Sequence, residues 1–354
     1  MSREQEPGPA RRPTLKDVAQ IAGVSYHTVA NVINAHPYVR EETRRRVEAA
    51  IEEVGYRPHR AGRQLRQGRS NLITLAIPYV AHPFYGGLAH AIVTEAERHG
   101  YEVLIHETFG VRERELRVAG EFGSVHTDGI VFFPVTISTV EFGHPNRATP
   151  FSLIGERVQP DGVDRVYVEN RASMARATRH LIDAGATRVG YLGHLGASER
   201  RSVESRYDGY LDAFESAGLA PPDDALLFDV PAHSDGVPPF GSYTAKSGAT
   251  AIATRLEDAR GLQGLVCASD LLAYGAMHEL RTNGIRVPQD VAVVGWDDLP
   301  DSEFIDPPLT TIRPDVAAMA SASVDSLVRR IADPTAPAVV RSLGFDLVVR
   351  RSAP

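Results

Sequence analysis

The chain has 354 residues, 43% hydrophobic and 7% aromatic, and its 38 Lys+Arg against 45 Asp+Glu give a net charge of -7. That length and apolar content fit two or three domains with sizeable buried cores. The single cysteine, Cys267, excludes an internal disulfide. No apolar run approaches the roughly 18 to 20 residues that span a bilayer, and MSREQEPGPARRP lacks the apolar core of an export signal. A cytoplasmic protein with no membrane partner is therefore expected. The charge is unevenly placed: residues 1–70 hold 13 Lys+Arg against 8 Asp+Glu, and the rest holds 25 against 37. A basic head on an acidic body points to a polyanion-binding segment joined to something that avoids polyanions.

In chain order, residues 1–12 are rich in Pro, Gly and charge and are expected to be a disordered tail. Thr14-Leu15-Lys16-Asp17 has the form of a capping box, and Leu15, Val18, Ala19 and Ala22 follow at helical spacing. Gly23 ends that helix, because glycine is at ease at positive φ. Ser25 caps a second helix with Val29, Val32 and Ile33 inward and Tyr26, His27, Ala30 and Asn31 elsewhere. A third helix covers about Glu41 to Val54, and Gly55-Tyr56-Arg57-Pro58 stops it. Three such helices make a bundle of about 45 residues, near the lower limit for independent folding.

Helix, glycine-containing turn, helix is the helix-turn-helix pattern, whose second helix enters the major groove. Its early residues here are Tyr26, His27 and Asn31. Asparagine pairs with adenine, while histidine and tyrosine donate to guanine acceptors or pack on thymine methyls. Next comes RPHRAGRQLRQGRS, with an arginine at every third position and one leucine, inside a stretch from Val54 to Thr94 that has no Asp or Glu. From Asn71, apolar runs of strand length alternate with helical segments: 72–77, 101–105, 129–133, 151–154, 188–192, 265–268 and 291–295. This alternation predicts parallel sheets with right-handed crossovers, and too many strands for one sheet. Two α/β lobes with a cleft at the carboxyl ends of the strands follow, and the proline-rich 231–240 reads as a loop.

The segments TLKDVAQIAGVSYHTVANVIN, VREETRRRVEAAIEEVGYRPHRAGRQLRQGRS and LITLAIP resemble, in order and spacing, the lactose/galactose-repressor family of bacterial transcription regulators. DGIVFF, GATRVGYLG, SRYDGY, SDLLAYGAM, VPQDVAVVGWDD and PPLTTIRPD extend the resemblance to nearly the whole chain from Thr14. It implies a small all-α helix-turn-helix head (13–57), a hinge linker or helix (58–70) and a two-lobed periplasmic-binding-protein-like α/β body (71–354). The lobes would be about 71–167 with 312–341, and 168–311 with 342–354. Implied DNA contacts are Thr14, Ser25, Tyr26, His27, Thr28 and Asn31, joined by hinge residues Arg60, Arg63 and Arg66 on phosphates or the narrow groove. Leu65 would be a minor-groove wedge. Off DNA, the helix-spaced arginines repel and Gly62 weakens the helix, so the hinge is expected to order only on phosphates. Many members have serine-arginine where Ala30-Asn31 stand, which implies a different operator.

The same resemblance places a small effector, a sugar or related polyol, against Tyr79, Phe84, Arg206, Ser269 and Asp297, with Phe240 or Trp296 covering its apolar face. Where sugar-binding members often carry an aspartate after the fourth strand, this chain has Gly155-Glu156; some members have asparagine at Ser269. Asp270 and Asp298 read as caps of the elements that follow them. The implied function is a repressor that binds a two-fold operator as a homodimer, and the end VVRRSAP implies no added tetramer helix. A rival reading is a plain sugar-like solute-binding protein without a DNA role; a weaker one is a sugar-modifying α/β enzyme. Yet the chain has no G-x-G-x-x-G, no G-x-x-x-x-G-K-[ST], no H-E-x-x-H and no G-x-S-x-G. No catalytic residue, metal or cofactor is expected.

Overall fold

A computed structural model describes residues 13–33, 36, 38–56, 69–120, 127–143, 149–194, 201–220, 222–230 and 243–354. The tail, hinge residues Arg60, Arg63, Leu65 and Arg66, and the loop 231–240 with Phe240 lie outside the described residues. The chain divides into two compact units, Met1–Ser70 and Asn71–Pro354.

In the first unit α1 (Leu15–Ala22), α2 (Tyr26–Ile33) and α3 (Glu41–Val54) enclose Val18, Val29, Val32, Val47, Ala50 and Tyr56. The Asp17 carboxylate accepts from the Thr14 amide (2.6 Å) and hydroxyl (2.7 Å), which fixes the start of α1. Gly23, at φ 63°, ends it. The Ser25 hydroxyl accepts from the Thr28 amide at 3.1 Å and caps α2. Ala30 is buried rather than off the packed face, because α2 lies against both α1 and α3 and so buries a wide stripe. The third helix stops at Gly55, in the left-handed region, where the Tyr56 amide turns back to the Ile51 carbonyl. Glycine makes this stop, ahead of Pro58.

The second unit holds two six-stranded sheets. One contains β1 (Leu72–Ile77), β2 (Glu102–Glu107), β3 (Gly129–Phe132), β4 (Phe151–Ile154), β5 (Asp164–Val168) and β11 (Val340–Leu343), ordered β11-β5-β4-β3-β1-β2 with every pair parallel. The other contains β6 (Val189–Gly193), β7 (Leu227–Asp229), β8 (Gly264–Cys267), β9 (Ala292–Trp296), β10 (Thr310–Pro314) and β12 (Phe345–Val348), ordered β12-β10-β9-β8-β6-β7. Here only β12 is antiparallel, to β10. Helices connect the strands: α4 (Pro83–Arg98), α5 (Arg112–Gly120), α6 (Thr139–Phe142), α7 (Asn170–Asp183), α8 (Arg201–Ser216), α9 (Ala245–Thr254), α10 (Leu256–Arg260), α11 (Asp270–Thr282) and α12 (Val316–Ala332). The central strands β3, β4, β6 and β8 are buried along their whole length, as parallel strands covered by helices on both faces must be. This is the two-lobed α/β body with a small helical head that the sequence implies.

Three single residues carry the chain between the sheets: Glu169 from β5 to α7, Asp315 from β10 to α12, and Gly344 from β11 to β12. The second passage falls at Asp315, close to the expected boundary near 312, because β10 stays hydrogen-bonded to β9 through Ile312. Lobe packing relies on close helix contact. A Cβ on Gly275 of α11 would lie 1.8 Å from the Ala245 carbonyl oxygen, and one on Gly248 of α9 would lie 2.2 Å from the Leu272 oxygen. Backbone meets backbone at both points, so neither side can swing aside. Gly275→Ala is expected to destabilise the body by about 3 kcal/mol through forced separation of α9 and α11, read as a lowered urea midpoint. An unchanged midpoint would contradict this close approach.

Candidate effector site and nucleic-acid interface

On the head, Tyr26 is 43% exposed, and His27 and Asn31 are also exposed on α2. The Tyr26 and His27 rings meet edge to face with centroids 6.0 Å apart. Thr28 is half-buried and its hydroxyl lies 2.9 Å from that of Ser25, so these two are first of all parts of the cap. The hydroxyl of Thr14 is likewise engaged, by Asp17. The outward side chains of α2 thus supply donors and acceptors of the kind that read base edges.

In the body, the carboxyl ends of β8 and β9 are drawn together by Asp270. Its Oδ2 accepts from the Leu299 amide (2.8 Å) and the Ser302 hydroxyl (2.6 Å), and its Oδ1 accepts from the Thr311 hydroxyl (2.6 Å). Asp270 is fully buried, and that burial pushes its carboxyl up to about 6 despite three hydrogen bonds. The cap of α11 is Ser269, whose hydroxyl accepts from the Leu272 amide. Asp270 is therefore a clamp between segments and not a cap. Asp298 is not a cap either: it pairs with Arg313 (2.5 Å) and Arg350 (2.7 Å). Asp297 sits between them at φ 134°, a strained backbone held by its own amide on the Ile312 carbonyl (2.9 Å).

Between the lobes lies a pocket of about 800 Å³, counted with its open mouth, at the carboxyl ends of both sheets. Phe84, Tyr85 and Phe133 form an aromatic wall, with Phe133 edge-on to Tyr85 at 5.2 Å and to Phe84 at 6.4 Å. His82, Glu156, Asn170, Arg206, Ser269 and Asp297 bring the polar groups. Asn170 bridges two of them: its Nδ2 donates to Glu156 Oε2 (2.7 Å) and its Oδ1 accepts from Arg206 Nε (2.8 Å). Arg206 also donates from Nη1 to the Ala268 carbonyl, and its guanidinium stacks 3.4 Å from the Trp296 ring centroid. Asp297 is 9% exposed, and its Oδ2 is buried with no hydrogen-bond partner among the described residues. Burial and the nearby Asp270 carboxylate push the Asp297 carboxyl well above its usual range, while Arg206 and the Asp270 amide pull it back. Burial and Arg206 push His82 down to about 4, and its Nδ1 accepts from the Phe84 amide (3.3 Å), which leaves the ring proton on Nε2.

Of the residues expected at the effector, Phe84, Arg206, Ser269 and Asp297 meet in this pocket. Tyr79 does not reach it. The Phe109 amide holds the Pro78 carbonyl (2.9 Å) and Glu107 holds the Val80 amide (2.7 Å), so the turn after β1 leans toward β2. The Tyr79 ring then packs edge-on against Phe109, and His82 takes the place by the cleft. Trp296 lines the pocket, but Arg206 covers one face of its ring and its Nε1 donates to the Ser173 hydroxyl (2.9 Å), so Phe84, Tyr85 and Phe133 make the apolar wall instead. His82, Tyr85, Phe133 and Asn170 went unrecognised, although Phe133 and Asn170 stand just beyond the ends of β3 and β5, where such folds bind ligands, and His82 and Tyr85 lie at the start of the helix that follows β1.

Residues 14–59 match the family model for bacterial regulatory proteins of the lacI family, and residues 178–353 match a periplasmic binding protein-like domain. The HTH-type transcriptional regulator CelR of Thermobifida fusca is 31% identical over 97% of this chain and 98% of its own. The chain belongs to the lacI family of bacterial regulatory proteins. Another relative in this family, the HTH-type transcriptional regulator GalR of Escherichia coli K12, is 29% identical over 96% of this chain and 95% of its own. Among solved structures, a CelR–cellobiose complex superposes with a TM-score of 0.69 at 29% identity, covering 96% of this chain and all of that one. A lac repressor dimer bound to operator and the anti-inducer ONPF superposes with 0.80 at 25% identity, covering 97% and 99%. This lacI-family member is a DNA-binding transcriptional regulator, and its curated relatives are regulators of transcription and not enzymes. Among the described residues no helix is long and apolar enough to cross a membrane.

The Asp270 clamp gives the regulator a pH signature. A folded-state carboxyl at about 6, above the ordinary aspartate value of 3.8, favours folding fully below the lower value, and that advantage is lost as pH rises through the higher one. The stability difference between wild type and Asp270→Asn should fall by about 1.4 kcal/mol from pH 5 to pH 8, measured by urea unfolding at each pH. A constant difference would contradict the assignment.

Proposed function

We propose that this regulator is a repressor that acts in the cytoplasm, holds a two-fold operator as a homodimer, and is controlled by a saccharide or related polyol in the interlobe pocket. The observation that carries the effector reading is the partnerless buried Oδ2 of Asp297, in one pocket with Arg206 and the aromatic wall. A buried polar atom without a partner is costly, and a ligand hydroxyl, which both donates and accepts, supplies one. Arg206, Ser269 and Asp297, with Glu156 and Asn170 added, would contact the ring hydroxyls, while Phe84, Tyr85 and Phe133 would face the apolar side of the ring. The cellobiose held by the CelR complex agrees with this class, and the lac repressor dimer on its operator agrees with paired heads. A ligand that binds one arrangement of the lobes better than another shifts the population between them, which is all that control requires.

On DNA, Tyr26, His27 and Asn31 would read bases, with Thr14, Ser25 and Thr28 beside the phosphates. Arg60, Arg63 and Arg66 would neutralise phosphates, and Leu65 would enter the minor groove. A gel shift with DNA from just upstream of the coding region tests the reading. Affinity should fall with salt at a log–log slope of about -0.9 per phosphate contact, and Asn31→Ala should weaken the preferred site by about 1–3 kcal/mol with little change in slope. Equal affinity for unrelated DNA, or a flat salt dependence, would contradict it.

A further inference from the structure

Beyond β3 the chain runs through Phe133, Pro134, Val135, Thr136 and Ile137 before α6 begins. The first two of these line the interlobe pocket, and Phe133 is part of its aromatic wall. Such a loop normally sends its amides to water or to neighbouring backbone. Here three successive amides converge on one side chain of another element. Glu115 of α5 accepts at Oε1 from Val135 (2.9 Å) and at Oε2 from Thr136 (2.9 Å) and Ile137 (3.0 Å). The carbonyls of the same stretch are held from elsewhere: Arg157 donates from Nε to that of Ile137 (2.9 Å) and from Nη2 to that of Thr136 (2.5 Å). Arg112, one turn before Glu115 on α5, pairs with Glu141 of α6, where the segment ends.

Glu115 is fully buried and stands outside the pocket lining. Burial pushes its carboxyl up, while the three amides pull it back. An apolar side chain here would avoid the cost of burying a carboxyl but would leave three amides without an acceptor. A carboxylate serves all three because both of its oxygens accept, whereas a glutamine would turn its own donor on one of these N–H groups. The consequence reaches the ligand side of the loop. Phe133 stands edge-on to Tyr85 at 5.2 Å and to Phe84 at 6.4 Å, and Phe84 lies 6.4 Å from the ring of Trp296 in the second lobe. Burial and the carboxylates of Asp297 and Glu115 push the Tyr85 hydroxyl up while Arg206 pulls it back, so the charge of Glu115 is felt at the wall.

We propose that Glu115 is a positioning residue of the effector pocket: from behind the wall it holds 133–137 in the path that sets Phe133 against Tyr85 and Phe84. The apolar face is thereby fixed before a ligand arrives, and no part of the ordering has to be supplied by binding. Glu115 itself touches no ligand. Its effect on affinity rests on the saccharide reading above, while its hold on the wall does not.

Trp296 is the only tryptophan of the chain, so its fluorescence reports on the wall without any ligand. In the full-length Glu115→Gln protein, acrylamide quenching of Trp296 should rise about twofold as Phe133 and Phe84 loosen around it. Of galactose, glucose, ribose and cellobiose, the one that most raises the wild-type melting temperature should bind this variant about tenfold more weakly by calorimetry. Asp164→Asn is the comparison, because it alters another fully buried carboxyl of the same lobe, held by Arg329, Arg330 and the Val339 amide. It should lower the melting temperature and leave quenching and sugar affinity as they are. Wild-type quenching and affinity in a folded Glu115→Gln protein overturn the proposal. An equal change in both variants also overturns it, since Glu115 would then only stabilise the lobe. If Glu115→Gln does not fold, amide hydrogen exchange of the wild type decides: Val135, Thr136 and Ile137 should exchange as slowly as the amides of β3, and exchange at the rate of an open loop overturns the proposal. Failure of every sugar to bind the wild type overturns the saccharide reading alone, and quenching and exchange still decide on Glu115.

Discussion

The body depends on one buried carboxyl. Asp270 begins α11 and reaches the loop after β9 and the strand β10, so three stretches distant in sequence share one set of oxygens. Such a group is unfavourable in a low-dielectric interior unless donors meet both of its oxygens, and here Leu299 and Ser302 meet Oδ2 and Thr311 meets Oδ1. Geometry follows from that satisfaction. The Ser269 cap one residue earlier and the Trp296-Asp297 turn are fixed on either side of the clamp, and both face the pocket. The positive φ angles at Asp297 and Asp298 persist because their surroundings over-determine them: Ile312 holds one amide, while Arg313 and Arg350 hold the Asp298 side chain. Gly295, just before the turn, has to be glycine, since a Cβ there would lie 2.2 Å from Asp270 Oδ1.

What could be read from sequence follows burial. Strands β1, β3, β4, β6 and β8 are apolar on both faces and appear as short hydrophobic runs. The strand β5 was not visible because it opens with Asp164-Arg165, which looks like a turn. Asp164 is in fact fully buried, held by Arg329 (2.9 Å), Arg330 (2.9 Å) and the Val339 amide (2.7 Å). The pairing that allows this lies more than 160 residues away in sequence, beyond any local pattern. Strands β11 and β12 carry exposed, polar positions at sheet edges and give no alternation to detect. The same division runs through the pocket. Phe84, Arg206, Ser269 and Asp297 lie in motifs of the family; Asn170 follows the unseen β5, and Tyr79 is turned away by hydrogen bonds between the ends of β1 and β2.

Asn170 also shows how a ligand and a lobe rearrangement can be one event. It stands directly after Glu169, one of the three single-residue passages between the sheets, and Glu169 accepts from Ser342 (2.9 Å) close to a second passage at Gly344. At the third, Asp315 caps α12 through the Ala318 amide (2.9 Å). The passages are thus anchored locally, and change there is confined to a few backbone angles, as in hinged domain closure. From this position Asn170 holds Glu156 of the first lobe with its amide nitrogen and Arg206 of the second with its oxygen. A ligand that drew on both residues would stabilise one angle between the lobes over others. The energy available is the difference in its contacts across those angles, and a group touching only one lobe would contribute affinity without control.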